Sequence, residues 1–579
     1  MSEAAHSTES SAGGPPQADG RAAAARIAGL PALELGALLA LAALIFFFHL
    51  GRYGLWEPDE ARYAEIAREM LAMRDFVVPH LNYIAYVEKP PLLYWLTAFS
   101  FSALGPTEFA ARIWVAIAAL LGVLATYVFT LRTFGRGHAL LAGAILATAP
   151  LYSVMAQVLT TDMLLTALVT VAMFSFYLHW SEGGRWCWLF YAAMGLAILA
   201  KGPVGAVLPI ISAMVFLAWQ KNLGAVRRFH LIPGLALTLA IAAPWFIVIT
   251  IREPGFFDFY FIGEHFRRAL EPDYSHGGPF WYYLPVVFVG LLPYSMLVPF
   301  LTWRALPPNP ARRFCVATAV VIFALFSFAG AKLVPYILPA MPPLAVLIAD
   351  GIMSCAYPER TVRGPLRSPD SRILMEAGPL LGLLGAAAFI AGVAAPSMRT
   401  HYAMLAQPAI FAAGATLTLG GIVVAAAFYS RRTNAGLAAL VLAVASTLLV
   451  FSYARILVEP ERSYASLSRV VAQRAPDATL ICYHRYVQAL PFYTRRRVIV
   501  VGGLTELRFG AQRTPDRHDW FFTTDAELMR LWQRPGNAVL VIDAADLLRL
   551  QERLEPFTVI AAEGRKRAIL KTREPIASN

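Results

Sequence analysis

The chain has 579 residues, of which 58% are apolar and only 15% charged, and its mean hydropathy is +0.56. A soluble domain carries about 25% charged residues, so this composition excludes a soluble multidomain enzyme and indicates a polytopic membrane protein. The balance of 49 basic against 37 acidic residues, net +12, suits basic loops at one membrane face better than nucleic-acid binding.

Residues 1–31 are rich in Ala, Gly, Ser and Pro and read as a disordered cytoplasmic N-terminus. The first apolar run, Glu34 to Leu50, has a long polar leader and no small-residue cleavage site after it. It predicts a retained signal anchor. Further runs follow at Ile113–Leu131, His138–Val154, Met163–Trp180, Cys187–Ala200, Val204–Trp219, Leu231–Ile251, Trp281–Phe300, Val316–Gly330, Leu333–Met353, Ala377–Ala395, Ile410–Tyr429 and Gly436–Tyr453. The expectation is a polytopic α-helical membrane domain, 32–458, with about 13 transmembrane helices. Arg132, Arg136, Arg227, Arg228, Arg312, Arg313, Arg431 and Arg432 fall on one set of loops; the opposite short loops carry Lys201, Lys332 and Arg399. This bias places the N-terminus in the cytoplasm, and an odd number of spans then places the C-terminus outside, in the periplasm of a Gram-negative cell or its equivalent. Two long external segments, 51–112 and 252–280, break the short-loop pattern, and such loops are usually functional.

From 459 to 579 the composition becomes soluble. Ala478–Tyr483, Val498–Val501 and Ala538–Ile542 read as buried strands, Asp525–Trp532 and Ala545–Leu554 as helices, and Phe557–Ala562 with Ala568–Lys571 as a closing hairpin. This predicts a small periplasmic α/β domain whose simplest role is a lid or packing module. It shows no phosphate loop, and Val501-Gly502-Gly503 lacks the third glycine of a dinucleotide turn, so no nucleotide cofactor is expected. Cys187, Cys315, Cys355 and Cys482 have no ligand spacing and predict no disulfide.

Charged residues with chemical promise cluster on the external side. Asp59 and Glu60 follow Pro58 and suit a helix start; Arg62 and Tyr63 share the Asp59 face. Tyr86-Val87-Glu88-Lys89-Pro90-Pro91 fixes an acid and a base side by side in extended backbone, or else forms an interfacial belt. Thr161 and Asp162 open a span, where a carboxylate is more often a cap than a catalyst. Lys201 defies the charge bias at the tight Ala200-Lys201-Gly202-Pro203 joint; phosphate binding and snorkelling are its two readings. Glu264-His265-Phe266-Arg267-Arg268 adds a histidine beside two arginines. Glu88 with His265 would make half a metal site.

These residues carry a resemblance. Glu57-Pro58-Asp59-Glu60-Ala61-Arg62-Tyr63, Glu69-Met70, Glu88-Lys89-Pro90-Pro91-Leu92 and Tyr94-Trp95 resemble the first external loop of the bacterial lipid A aminoarabinose transferases. Those enzymes belong with the protein O-mannosyltransferases in the GT-C class. Thr161-Asp162, Ala200-Lys201-Gly202-Pro203, Glu264-His265 and Lys332-Leu333-Val334-Pro335-Tyr336 match further along. The resemblance implies transfer of 4-amino-4-deoxy-L-arabinose from undecaprenyl phosphate to lipid A phosphates, with inversion, which lowers binding of polymyxin and other cationic peptides. It implies Asp59 and Asp162 as catalytic carboxylates. Arg62, Lys89, Lys201, Arg267 and Arg268 become phosphate ligands, and Tyr63, Tyr86 and Tyr336 substrate contacts. Glu88 and His265 become ligands of an accessory zinc ion. Two alternatives stand beside this reading. A related transferase would act on a protein hydroxyl or another envelope acceptor. A lipid transporter or flippase would show internal repeats and midplane charges, and neither is evident in the sequence.

Overall fold

The computed structural model describes residues 32–267, 277–301, 309–357, 371–398 and 401–571; the expected disordered tail lies outside them. Helices occupy the apolar runs, because in a bilayer a helix satisfies its backbone N–H and C=O groups within one segment. Among the described residues eight helices are long and apolar enough to cross a membrane: Glu108–Thr133, Thr161–Glu182, Leu231–Arg252, Pro310–Phe328, Val334–Ala356, Leu374–Ala394, Met404–Tyr429 and Thr433–Arg462. The other expected runs are helical but shorter or broken. Ala32–Phe47, Trp186–Lys201 and Val204–Trp219 have 16 residues each. That is about 24 Å of helix, against a hydrocarbon core of about 30 Å. The run at 138–154 divides into Arg136–Thr148 and Pro150–Met155, with Ala149 extended between them, the conformation favoured before proline. The run at 281–300 divides at Pro293. By length and composition, eight of the described helices qualify as crossings.

Burial ranks these helices from centre to rim. Thr161–Glu182 and Val334–Ala356 are the innermost, with 89% of their apolar windows buried, against 28% for Leu231–Arg252, Leu374–Ala394 and Met404–Tyr429. The rim helices turn Ile232, Ile251, Leu239 and Leu419 outward, as lipid contact requires. Helices 377–394 and 401–429 approach closely because Gly378 faces the Gly421 carbonyl; a Cβ at Gly378 would lie 2.7 Å from that oxygen. The four cysteines are buried and form no disulfide among the described residues.

One end of the bundle carries the first loop. It contains helix Asp59–Met73, the two-residue strands β1 (His80–Leu81) and β2 (Ile84–Ala85), and helix Leu92–Leu104. Residues 60–70 of the first helix are all buried, so this loop is a packed layer. Its anchor is Arg112, at the start of helix Glu108–Thr133. All five of its N–H donors are used: to Glu60 Oε1 and Oε2 at 2.8 and 2.7 Å, and to the carbonyls of Leu50, Tyr53 and Gly54 at 2.9–3.0 Å.

The C-terminal α/β domain docks on the same end. Its six-stranded sheet has the order β5-β4-β3-β6-β8-β7, from β3 (Thr479–Tyr483), β4 (Ile499–Val501), β5 (Phe521–Phe522), β6 (Ala538–Asp543), β7 (Phe557–Glu563) and β8 (Lys566–Lys571). The first four run parallel; β7 and β8 form the expected antiparallel hairpin. β5 is an addition to the expected strands, too short at two residues to leave an alternation signal.

Docking uses backbone and buried polar groups. Asn82 exchanges two 2.9 Å hydrogen bonds with the Val498 backbone. The Tyr493 hydroxyl accepts from Leu55 N and donates to Glu108. The Glu57 carboxylate accepts from Gln488 N at 3.2 Å and Ala489 N at 2.7 Å. Burial pushes the Glu57 pKa up to about 7, more than those two bonds, Arg485 and Arg62 together pull it down. Its unfolded pKa is about 4.3, so the docked state binds more protons between those values. Docking stability should fall as pH rises from about 4.5 to about 7 and level off above. Hydrogen exchange at 485–495 should therefore be faster at pH 7.5 than at pH 5.5 after correction for intrinsic rates, and Glu57→Gln should remove the difference. An unchanged pH dependence in Glu57→Gln would assign it to another group.

Candidate active site

Helix Asp59–Met73 brings the first cluster together. Pro58 precedes it in a helical conformation, at a helix start where the N–H that proline lacks would have no intrahelical partner. Asp59 and Arg62 sit one turn apart and pair at 2.8 Å. The Arg62 side chain is 9% exposed and that of Asp59 53%, so the carboxylate holds the guanidinium from the open side. Arg62 also donates to the Tyr86 hydroxyl at 3.3 Å, and Tyr86 donates to Glu88 Oε2 at 2.9 Å. Lys89 donates to the Glu88 carbonyl at 3.2 Å. Burial opposes the charge on Arg62, but Tyr86, Tyr63, Asp59 and Glu506 outweigh it and hold its pKa above the ordinary value.

A second cluster stands at the ends of two spans. Lys201, the last residue of helix Trp186–Lys201, donates to Asp162 in the first turn of helix Thr161–Glu182. Gly202, at φ 84°, turns the chain directly into the next helix; this region favours glycine, which has no Cβ to clash. The Lys201 ammonium lies 4.6 Å from the Tyr336 ring centroid. Thus Asp162 is both a helix-start acid and a lysine partner. Lys332 caps the Ala329 carbonyl at 2.8 Å.

Tyr63 follows Arg62, whose guanidinium lies 5.8 Å from its ring centroid. It is buried against Tyr94, ring centroids 5.8 Å apart. Burial raises its pKa most, and Asp59, Asp162 and Glu88 raise it further while Arg62 opposes them. Arg62 Nε and the Tyr94 hydroxyl are buried with no hydrogen-bond partner among the described residues. Buried polar groups are normally paired, so these two donors are available to a polar ligand.

Glu506, in the loop after β4, was not among the sequence candidates; its carboxylate lies 3.3 Å from Arg62. No local pattern links residues this far apart in the chain. A carboxylate and a phosphate oxygen make the same kind of contact with a guanidinium, so Glu506 occupies a position that a lipid phosphate could take. The other expected residues divide. His265 and Arg267 fall in helix Asp258–Arg267, but their side chains, and all of Arg268, lie outside the described residues. Glu88 is the one described member of the expected zinc pair. Among the described residues there is no group of three or more His, Cys, Asp or Glu able to hold a metal. A zinc site wants three or four protein ligands, or three and a substrate. The described donors do not fit a metal by themselves.

The family described as dolichyl-phosphate-mannose-protein mannosyltransferase matches residues 88–248, and the aminoarabinose transferase C-terminal domain matches residues 467–571. The chain is 34% identical over 370 residues to the undecaprenyl phosphate-alpha-4-amino-4-deoxy-L-arabinose arabinosyl transferase of Pectobacterium carotovorum, covering 62% of this chain and 66% of that one. It is 35% identical over 315 residues to the Aeromonas salmonicida protein of the same description, covering 53% and 57%. The chain thus spans just under two thirds or less of these curated relatives. Among solved structures it is similar to ArnT from Cupriavidus metallidurans bound to undecaprenyl phosphate: TM-score 0.80, 28% identity, 93% of this chain and 97% of that one. The archaeal oligosaccharyltransferase AglB from Archaeoglobus fulgidus shares the fold at TM-score 0.50 and 13% identity, over 90% of this chain and 70% of that one.

Proposed function

We propose that the chain is an aminoarabinose-transferase-like GT-C membrane glycosyltransferase that moves 4-amino-4-deoxy-L-arabinose from undecaprenyl phosphate to phosphates of lipid A, a reading its similarities to such enzymes support. The observation that carries this reading is the pair of carboxylate–cation clusters, Asp59–Arg62 and Asp162–Lys201, at one end of the bundle. Both substrates are lipids, which suits a site at the end of apolar helices. We place that end in the periplasm of a bacterial inner membrane; the basic loops expected at the opposite end support this orientation.

In the reaction a lipid A phosphate oxygen attacks the anomeric carbon, and the bond from that carbon to the donor phosphate breaks with inversion. The bonding electrons leave on undecaprenyl phosphate. An anionic acceptor needs no deprotonation, so Asp59 fits a positioning role, holding Arg62 at 2.8 Å. Arg62, Lys89 and Lys201 are then the cations on the departing phosphate, and preorganised charge of this kind is usually the largest catalytic term. Asp162 is suited to the sugar amine as well as to Lys201. Arg267 and Arg268 are proposed as further phosphate ligands.

Lys89→Ala and Lys201→Ala should each weaken undecaprenyl phosphate binding by roughly 1.5–3 kcal/mol, the value of a charge-assisted hydrogen bond. Isothermal titration with the purified variants measures this; unchanged binding in both would move the phosphate elsewhere. Glu88 and His265 are proposed to meet across the cavity, either on zinc or in a direct hydrogen bond. Elemental analysis of the protein with its Glu88→Gln and His265→Ala variants separates the two, and metal content indifferent to both substitutions removes the zinc version. The test of the function is mass spectrometry of lipid A from cells with and without the protein. An added aminopentose supports the proposal. Unmodified lipid A alongside a glycosylated envelope protein would favour the hydroxyl-acceptor alternative, in which Asp59 becomes a general base.

A further inference from the structure

The end of the bundle opposite the candidate site carries cations that no carboxylate answers. Helices Val204–Trp219 and Leu231–Arg252 are joined by residues 220–230, which include the 3-10 helix Leu223–Phe229. Lys221, Arg227 and Arg228 are exposed on this connection and form no ion pair among the described residues. No Asp or Glu occurs in the chain between Glu182 and Glu253. Of the other carboxylates described at this end, Glu34, Glu182 and Asp350 pair with Arg136, Arg132 and Arg312. Glu376 lies on a segment packed against helices 341–356, 377–394 and 401–429. Two neighbouring helices bring further cations. Trp188, three residues after Arg185, stacks on the His230 ring with centroids 6.1 Å apart, and Arg313 donates to Gln220 Oε1 at 3.4 Å. Arg185, Lys221, Arg227, Arg228 and Arg313 thus stand around the connection with no unpaired carboxylate packed on it among the described residues.

The connection is a built surface and not a slack loop. Lys221 and His230 hold left-handed backbones, φ 53° and 46°, which strain a non-glycine residue. Packing keeps them there. Phe229 is buried with its ring stacked on Phe176 at 4.7 Å, and its carbonyl accepts from the Tyr191 hydroxyl at 3.0 Å. The Arg228 carbonyl lies 3.1 Å from His179 Nε2. The positive-inside bias counts basic residues and asks for no such structure. Beside Lys221, the Gln220 Nε2 atom is buried without a partner among the described residues, so it has donors to give. Location identifies the occupant. Trp219, two residues before Lys221, is 48% exposed, and Ile232, four after Arg228, is 85% exposed, each at the end of an apolar helix. Such faces meet acyl chains, so the adjacent cations stand at headgroup level. A guanidinium takes phosphate oxygens in pairs. We propose that residues 220–230, with Arg185 and Arg313, bind the headgroup phosphate of an anionic phospholipid in the leaflet at this end. A zwitterionic phospholipid offers the same phosphate but adds an ammonium that the surplus cations repel. The site is independent of the transferase reading, which could fail without affecting it.

The test is native mass spectrometry of the full chain in detergent, with equal amounts of phosphatidylglycerol and phosphatidylethanolamine of the same acyl chains. The wild type should retain phosphatidylglycerol at least about 10-fold more than phosphatidylethanolamine, the scale of one charge-assisted contact. Arg227→Gln combined with Arg228→Gln should abolish most of that preference. Arg431→Gln combined with Arg432→Gln removes the same charge from another connection at this end, between helices 401–429 and 433–462, and should leave the preference unchanged. If the 227 and 228 double variant does not accumulate, Lys221→Gln, which removes one cation of the site, should lower the preference by a smaller factor. Equal retention of the two lipids by the wild type overturns the proposal. So does an unchanged preference in the variants at 221, 227 and 228. An equal fall in the 431 and 432 double variant also overturns it, because the attraction would then belong to the whole basic face and not to this site.

Discussion

Asp59→Ala is expected to lower sugar transfer at least about 100-fold, the scale set by losing one preorganised charge contact in a site of this kind, while insertion and thermal stability stay near normal. The side chain is 53% exposed and pairs with Arg62. Substitutions at exposed positions usually change stability by less than about 0.5 kcal/mol. Its chemical role is different. Asp59 fixes a guanidinium that is otherwise tied to Tyr86 and Glu506, and its loss lets Glu506 compete for Arg62 without opposition. Asp59→Asn refines the argument. If Asp59 orients Arg62, the amide keeps an acceptor and retains part of the activity. If Asp59 is a general base, the amide is as inactive as alanine. Turnover of a synthetic undecaprenyl phosphate donor measures both, and wild-type rates in Asp59→Ala would remove this residue from the site.

Arg112→Ala should be the most damaging single change to the fold. It removes five donors at once and leaves Glu60 buried at 2% exposure without its counter-ion. Breaking a buried ion pair in this one-sided way costs about 3–5 kcal/mol. Glu60 would keep its bonds from Trp56 N and Leu159 N, too few for a buried charge. The expected result is a lower melting temperature and early proteolysis between residues 48 and 58. The double variant Arg112→Met with Glu60→Gln should recover much of the stability, because it removes both charges. If the double variant is as unstable as Arg112→Ala, lost packing rather than an unpaired charge is the cause.

The sequence made some of this legible and hid the rest for physical reasons. Short apolar runs bounded by turn residues announced β3, β4 and β6 within one residue at each end, since buried strands need continuous hydrophobicity. The three-residue interval from Asp59 to Arg62 correctly implied one helix face. The pairing of Lys201 with Asp162, 39 residues apart, had no such local sign. Nor did Glu506 against Arg62, Arg112 under Glu60, or Glu57 at the backbone of residues 488 and 489. The contacts of Glu506 and of residues 488 and 489 depend on the C-terminal domain folding back over the first loop, and the others join elements 39 or 52 residues apart, separations that no periodicity records. The breaks fall at Pro150 and Pro293, which the sequence shows, but hydropathy alone predicts unbroken spans there because it does not register backbone conformation.

The fold-back also sets a timetable for biosynthesis. Glu57 and the backbone it binds at residue 488 are 431 positions apart. At about 5–20 residues per second, the first loop is made roughly 20–90 seconds before its cover. During that interval Asn82, Glu57 and Arg62 have none of their C-terminal partners, and water or lipid headgroups must stand in for them. A ribosome paused before residue 488 would leave the cavity uncovered in the membrane for as long as the pause lasts. Chains that terminate there would be long-lived copies of that intermediate, presenting to proteases a helix whose polar groups the finished protein keeps enclosed.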